Sequence, residues 1–152
     1  SRGQCYSYSA RPDQAMQSYA TGTSILPNRP EAYYHLAEQY FHKKQYSVAR
    51  IILEDTQKIP FPEEELSLVD LDIIRWRIPD VLSLCYYQED EEKKAYKTIK
   101  KVLVDKSITI YNPEDRERLE GNFALFKRIH QLPRKQRGSR REAAKLKALK
   151  GE

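Results

Sequence analysis

Three groups of residues in this 152-residue sequence have types and spacings able to support chemistry. Asp70-Leu71-Asp72 sets two carboxylates two positions apart, the DxD spacing that holds a divalent cation and a diphosphate where the backbone is extended or turned. No strand pattern, nucleotide pocket or third carboxylate accompanies it, so the pair reads as the solvated edge of a linker. His35, Glu38 and His42 recur at i, i+3 and i+7 of one helix, but a zinc site needs three or four converging ligands and no second segment supplies a fourth. They read as groove or surface residues. Ser, Cys and His side chains occur without the strained turn that presents a nucleophile, which leaves covalent catalysis without support. No catalytic residue, metal or cofactor is therefore assigned, and binding is left as the function to look for.

Composition bounds the scaffold that would position binding residues. A chain of 17.9 kDa suits one compact domain. With 39% apolar and 32% charged residues, 5 Gly and 8 Pro, it is neither collagen-like nor low-complexity nor wholly disordered. Cys5 and Cys85 are too few for a disulfide framework or a four-cysteine zinc site, and read as thiols of a reducing, cytoplasmic compartment. No run approaches eighteen apolar residues, so no membrane span is expected, and the N-terminus lacks a signal-peptide pattern. The net charge of +5 is local: residues 134–150 hold eight Lys/Arg against Glu142 alone, and the rest of the chain sums to −2. A nearly neutral body and a basic, disordered tail from 133 to 152 are expected.

The body carries an internal repeat. Ala15-Met16-Gln17-Ser18-Tyr19 followed by Pro27 recurs as Ala49-Arg50-Ile51-Ile52-Leu53 followed by Pro60 and Pro62, and Ala15 to Ala49 is 34 residues, the tetratricopeptide (TPR) period. In the copy at 29–60, Tyr33, Leu36, Ala37 and Tyr40 form one face of a first helix. Tyr46, Ala49, Ile52, Leu53 and Thr56 do the same for a second. Small Ala37 and Ala49 fall where the two helices approach most closely. The same register places Gly3, Tyr6, Ala15, Tyr19 and Gly22 in a copy at 1–28, so the chain is expected to begin inside a helix, as part of a longer polypeptide. It places Leu82, Ser83, Tyr86, Ala95, Ile99 and Val102 in a copy at 73–107.

Ala95 follows Ala49 by 46 residues, so about twelve residues are inserted, at 61–72, where Pro60 and Pro62 disfavour helix. A helix from about Asp72, bent near Pro79, is expected to open the last copy. Asn112-Pro113-Glu114-Asp115 is a strong helix start, and Leu119, Phe123, Phe126 and Ile129 or His130 make 113–131 an amphipathic capping helix. The expected fold is all-α: a TPR-like α-solenoid of antiparallel helix pairs, about six helices and a C-terminal cap.

Several lines of the sequence resemble the TPR region C-terminal to some family 2 glycosyltransferases, in which a GT-A catalytic domain precedes helical repeats. They are Leu26-Pro27-Asn28-Arg29-Pro30-Glu31-Ala32-Tyr33-Tyr34-His35-Leu36-Ala37, Ile59-Pro60-Phe61-Pro62 with its acidic run, Asp72-Ile73-Ile74-Arg75-Trp76-Arg77, and Cys85-Tyr86-Tyr87. The similarity covers roughly residues 3 to 130. Pro79 departs from it, interrupting a helix expected to be continuous in such proteins. The resemblance implies a parent enzyme whose nucleotide-sugar site lies in a preceding domain, with this segment as a non-catalytic interaction or spacer module. The first helices of TPR pairs line a concave groove, which here would present Tyr8, then Tyr34, Glu38, Phe41 and His42, then Arg77, Asp80 and Tyr87. Aromatics with hydrogen-bonding neighbours suit a protein or peptide, or the parent's own catalytic domain. The Lys and Asn row that clamps a C-terminal carboxylate is absent. Two alternatives stand beside this: a freestanding TPR adaptor, and an RNA-associated module acting through the tail, against which the lack of interleaved aromatics argues.

Overall fold

A computed structural model describes residues 29–133 together with 136 and 137. The expected copy at 1–28, including Tyr8, and nearly all of the basic tail lie outside the described residues. Among those described, all regular structure is helical and no helix is long and apolar enough to cross a membrane. The chain divides between Ile78 and Pro79 into two compact units.

The first unit holds α1 (Pro30–His42) and α2 (Tyr46–Gln57), packed against each other. Pro30 opens α1, where its fixed φ suits the first turn and its missing N–H costs nothing, and Glu31 faces the positive end of the helix dipole. Tyr33, Leu36, Ala37 and Tyr40 are buried from α1, and Ala49, Ile52, Leu53 and Thr56 from α2. Burial pushes the Tyr33 phenol above its ordinary pKa, so the ring stays neutral beside Phe61, whose centroid lies 6.4 Å away. Thr56 returns its hydroxyl to the Ile52 carbonyl at 2.6 Å, which satisfies a polar group inside the pair.

The segment 61–72 is more helical than its prolines suggest. After a 3₁₀ turn at Glu63–Glu65, α3 (Leu68–Asp72) starts on a reciprocal cap: the Ser67 hydroxyl accepts from the Asp70 N–H at 3.2 Å, and the Asp70 carboxylate accepts from the Ser67 N–H at 3.1 Å. A π-helical turn, Ile73–Arg77, follows, and the Ile78 N–H donates to Ile73 O, five residues back. The turn sits immediately before Pro79, which has no N–H for the carbonyl four residues earlier and whose ring would crowd it. The expected helix start near Asp72 therefore moves to Leu68, and a π turn stands just before Pro79, where a bend is expected.

The second unit holds α4 (Ile78–Gln88), α5 (Glu92–Val104) and α6 (Pro113–Gln131). Ala95, Ile99 and Val102 are buried from α5. The expected cap of α6 is present, with Asn112 Oδ1 accepting from the Glu114 N–H at 2.9 Å and Pro113 at the first position. Leu119, Asn122, Leu125, Phe126 and Ile129 are buried from α6, whereas Phe123 is half-buried and stacks on Tyr96 of α5 at 5.1 Å. One residue of the expected solvated tail is engaged: Arg137 donates to the carbonyls of Leu132 (2.8 Å) and His130 (2.9 Å), closing carbonyls that the end of α6 leaves open.

The links α1–α2 and α4–α5 are the same turn. In the first, Gln45 N–H bonds Tyr40 O and Lys44 N–H bonds Phe41 O; in the second, Glu91 N–H bonds Tyr86 O and Asp90 N–H bonds Tyr87 O, all at 2.8–3.1 Å. This is the Schellman arrangement, with Lys44 (φ 62°) and Asp90 (φ 64°) at the left-handed position that glycine favours. Every pair of equivalent residues is 46 apart, matching the Ala49–Ala95 spacing. Lys44→Gly is expected to stabilise the fold by roughly 0.5–1 kcal/mol, and Asp90→Gly by less because Asp tolerates this backbone better. Lys44→Val should destabilise. Urea midpoints at constant slope check all three.

Candidate functional site

Of the expected groove residues within the described range, Tyr34, Glu38, Phe41 and His42 lie on α1, Arg77 on the π turn, and Asp80 and Tyr87 on α4. Their exposure differs from that of an open groove. Tyr34 and Phe41 are buried along with the α1 face that packs on α2, so α1 is covered on more than one side. Phe41 meets Tyr46 edge-on at 5.3 Å across the turn. What α1 offers to solvent is polar: exposed Glu31, His35 and His42, with Glu38 partly exposed. His35 Nδ1 hydrogen-bonds Glu38 at 3.2 Å and its Nε2 stands 3.5 Å from Glu31, so the three lie in one row along the helix. Arg77 is half-buried with its guanidinium 4.4 Å from the centre of the Trp76 ring, a cation–π placement that holds the charge near the surface.

Asp80 and Tyr87 are inside the second unit. Both Asp80 oxygens accept from Arg118 of α6: Nη1 donates to Oδ1 at 2.9 Å and Nη2 to Oδ2. The Asp80 side chain is 7% exposed and that of Arg118 18%. Asp115 stands 3.9 Å from the same guanidinium. Tyr87 packs on Phe126, ring centroids 4.8 Å apart. Residues 80 and 87 thus meet 118 and 126 in the same order, so α4 and α6 run in the same direction, with α5 packed on α6. As they stand, Tyr34, Phe41, Asp80 and Tyr87 hold the fold together, and Glu38, His42 and Arg77 are the expected groove residues that reach solvent.

The DxD pair is not a solvated edge. Asp70 is buried and committed to the Ser67 cap, while Asp72 is half-buried. Cys85, the one described thiol, is fully buried. Among the described residues no three His, Cys, Asp or Glu side chains converge as metal ligands would. Sequence reasoning missed the Asp80–Arg118 pair. Its signals are an arginine beside Leu119 on the inner side of α6, and an aspartate 46 residues after Tyr34, but nothing in one sequence says that residues 38 apart meet.

No family model, curated protein or solved structure matches this chain.

A buried bidentate pair costs most when one partner is left alone. Arg118→Ala or Asp80→Ala is expected to destabilise the second unit by about 3 kcal/mol. The double replacement should cost less than the two singles together. Arg118→Lys should recover only part, because an ammonium cannot make the two-pronged contact. A double-mutant cycle on chemical unfolding measures this.

Proposed function

We propose that the chain is a TPR-like interaction module without a reaction of its own, the accessory C-terminal part of a larger glycosyltransferase. The observation that carries the repeat reading is the duplicated turn: two helix pairs reverse through the same hydrogen bonds at a constant offset of 46 residues. Ala37 and Ser83, and Ala49 and Ala95, then fall at matching, fully buried positions. The shared direction of α4 and α6 adds support, since in stacked pairs the first helix of one repeat runs parallel to that of the next. The glycosyltransferase reading rests on the resemblance of the lines around Leu26–Ala37, Ile59–Pro62, Asp72–Arg77 and Cys85–Tyr87.

In this proposal the contact with a protein partner, or with the parent's catalytic domain, is made by the polar rim of Glu38, His42 and Arg77. The buried aromatics behind it set the rim's shape. Polar rims give specificity and association rate more than affinity, which suits a module tethered to its partner.

The coding sequence that precedes Ser1 is the direct test. It should encode strands alternating with helices and a DxD of its own, and nucleotide-sugar turnover should require that upstream portion. Should it encode nothing of the kind while the chain captures a protein partner through His42 and Arg77, the adaptor reading takes its place.

A further inference from the structure

The turn at Lys44 and its twin at Asp90 align α2 with α5 residue for residue, so the two helices can be compared face by face. Their inner faces agree: Ala49 with Ala95, Leu53 with Ile99, Thr56 with Val102, all buried. Their outer faces do not. Where α2 has Ser47, Val48, Ile51, Glu54 and Asp55, α5 has Lys93, Lys94, Lys97, Lys100 and Lys101. On α2 the charges are of both signs and pair, Arg50 with Glu54 at 2.8 Å and Lys58 with Asp55 at 3.8 Å. On α5 all five lysines are exposed, and none makes an ion pair among the described residues. Lys94 and Lys100 sit over the rings of Tyr86 and Tyr96 at 5.7 and 5.5 Å, contacts that leave their charge uncompensated.

Lysines at i, i+3 and i+4 repel, so this face weakens the helix that carries it. Packing does not require it either, because α2 fills the same place in its own pair without it. At 100° per residue, Lys93, Lys97, Lys100 and Lys101 lie within an arc of about 100° opposite the buried Ala95–Ile99–Val102 side. Val104 falls in the middle of that arc. It is 64% exposed, an apolar side chain in line with four cations.

We infer that the outer face of α5 docks on a membrane surface rich in anionic lipid, the lysines on headgroup phosphates and carboxylates and Val104 at the acyl boundary. Flexible ammonium groups without a single arginine suit many interchangeable anions rather than one fixed geometry. A line of basic residues with an apolar member fits a helix lying in the interface plane. A nucleic-acid backbone gains nothing from Val104, and of the two aromatics beside the lysines Tyr86 is buried and Tyr96 is stacked on Phe123, so neither is offered to a base. The inference is independent of the groove described above and concerns surface association, not a span.

Flotation of the full chain with phosphatidylserine-containing vesicles and with pure phosphatidylcholine vesicles tests it, with a single-stranded RNA as competitor. Wild type should bind the anionic vesicles alone, with affinity falling as salt rises. Lys97→Glu, Lys100→Glu and Lys101→Glu together should weaken binding about a hundredfold or more, each lysine near such a surface being worth about fivefold. Val104→Ser should weaken it severalfold. Because these side chains point away from the core, circular dichroism should show unchanged helix content. The inference is overturned if wild type ignores anionic vesicles, or if the triple variant binds as wild type does, which assigns the binding to residues 134–150. It is overturned equally if RNA displaces the vesicles at lower concentration and Val104→Ser has no effect, which gives the face to nucleic acid.

Discussion

A short link that leaves a helix through Schellman hydrogen bonds needs one residue in the left-handed backbone, and helices approach most closely where their facing side chains are small. The left-handed residue occurs twice in this chain. Lys44 and Asp90 accept the strained φ that a glycine would take at less cost, and small, fully buried residues stand at corresponding positions, Ala37 and Ser83 on the first helices, Ala49 and Ala95 on the second. The six-to-one and five-to-two hydrogen bonds of the turn fix the rotation of the second helix relative to the first. Once that rotation is set, the sequence of α2 or α5 has no freedom over which residues face inward. Ser83 shows how strict the site is: its hydroxyl is turned back to the Asp80 carbonyl at 2.7 Å, so that a polar side chain can occupy the contact without an open hydrogen bond.

The second constraint is Pro79. A proline in a helix removes a donor and crowds the preceding turn, and the π turn at Ile73–Arg77 absorbs both by shifting one hydrogen bond to the fifth residue back. Asp80 follows at the start of α4, in the place held by Tyr34 in α1. A carboxylate there is buried, and burial without a partner would be far more costly than the burial of a phenol. Arg118 supplies the partner from α6. α6 is thus tied to α4 by a charge pair at one end and by Tyr87 on Phe126 further along, two contacts that also set its direction.

Much of this could be read in the sequence, and what could not has physical reasons. The inward stripes of α1, α2 and α5 followed from their 3.6-residue spacing, and the start of α6 from Asn112-Pro113 with its acids. Periodicity finds one buried face per helix, however, and α1 is buried on more than one, which is why Tyr34 and Phe41 looked available when they are not. Ser67-Leu68-Val69-Asp70 spells a capping box, but the same Asp70 also begins a DxD, and the metal-type spacing drew notice from the commoner use of a serine three residues before an acid. The π turn and the Asp80–Arg118 pair depend on where distant residues arrive in space, and no local pattern encodes that.

The constant offset between the two helix pairs makes one half of the chain a control for the other. What the two pairs share, namely the turn, the small buried residues and the apolar inner faces, is what the turn and burial ask of those positions. What they do not share is released from that demand. On α2 those positions hold Ser47, half-buried Val48 and Ile51, and two acids that pair with Arg50 and Lys58. On α5 the same positions became five cations and an exposed valine, which repel along the helix and leave apolar surface in water. A face that lowers the stability of its own helix, at positions where α2 carries paired charges and half-buried side chains instead, places its compensation outside the chain.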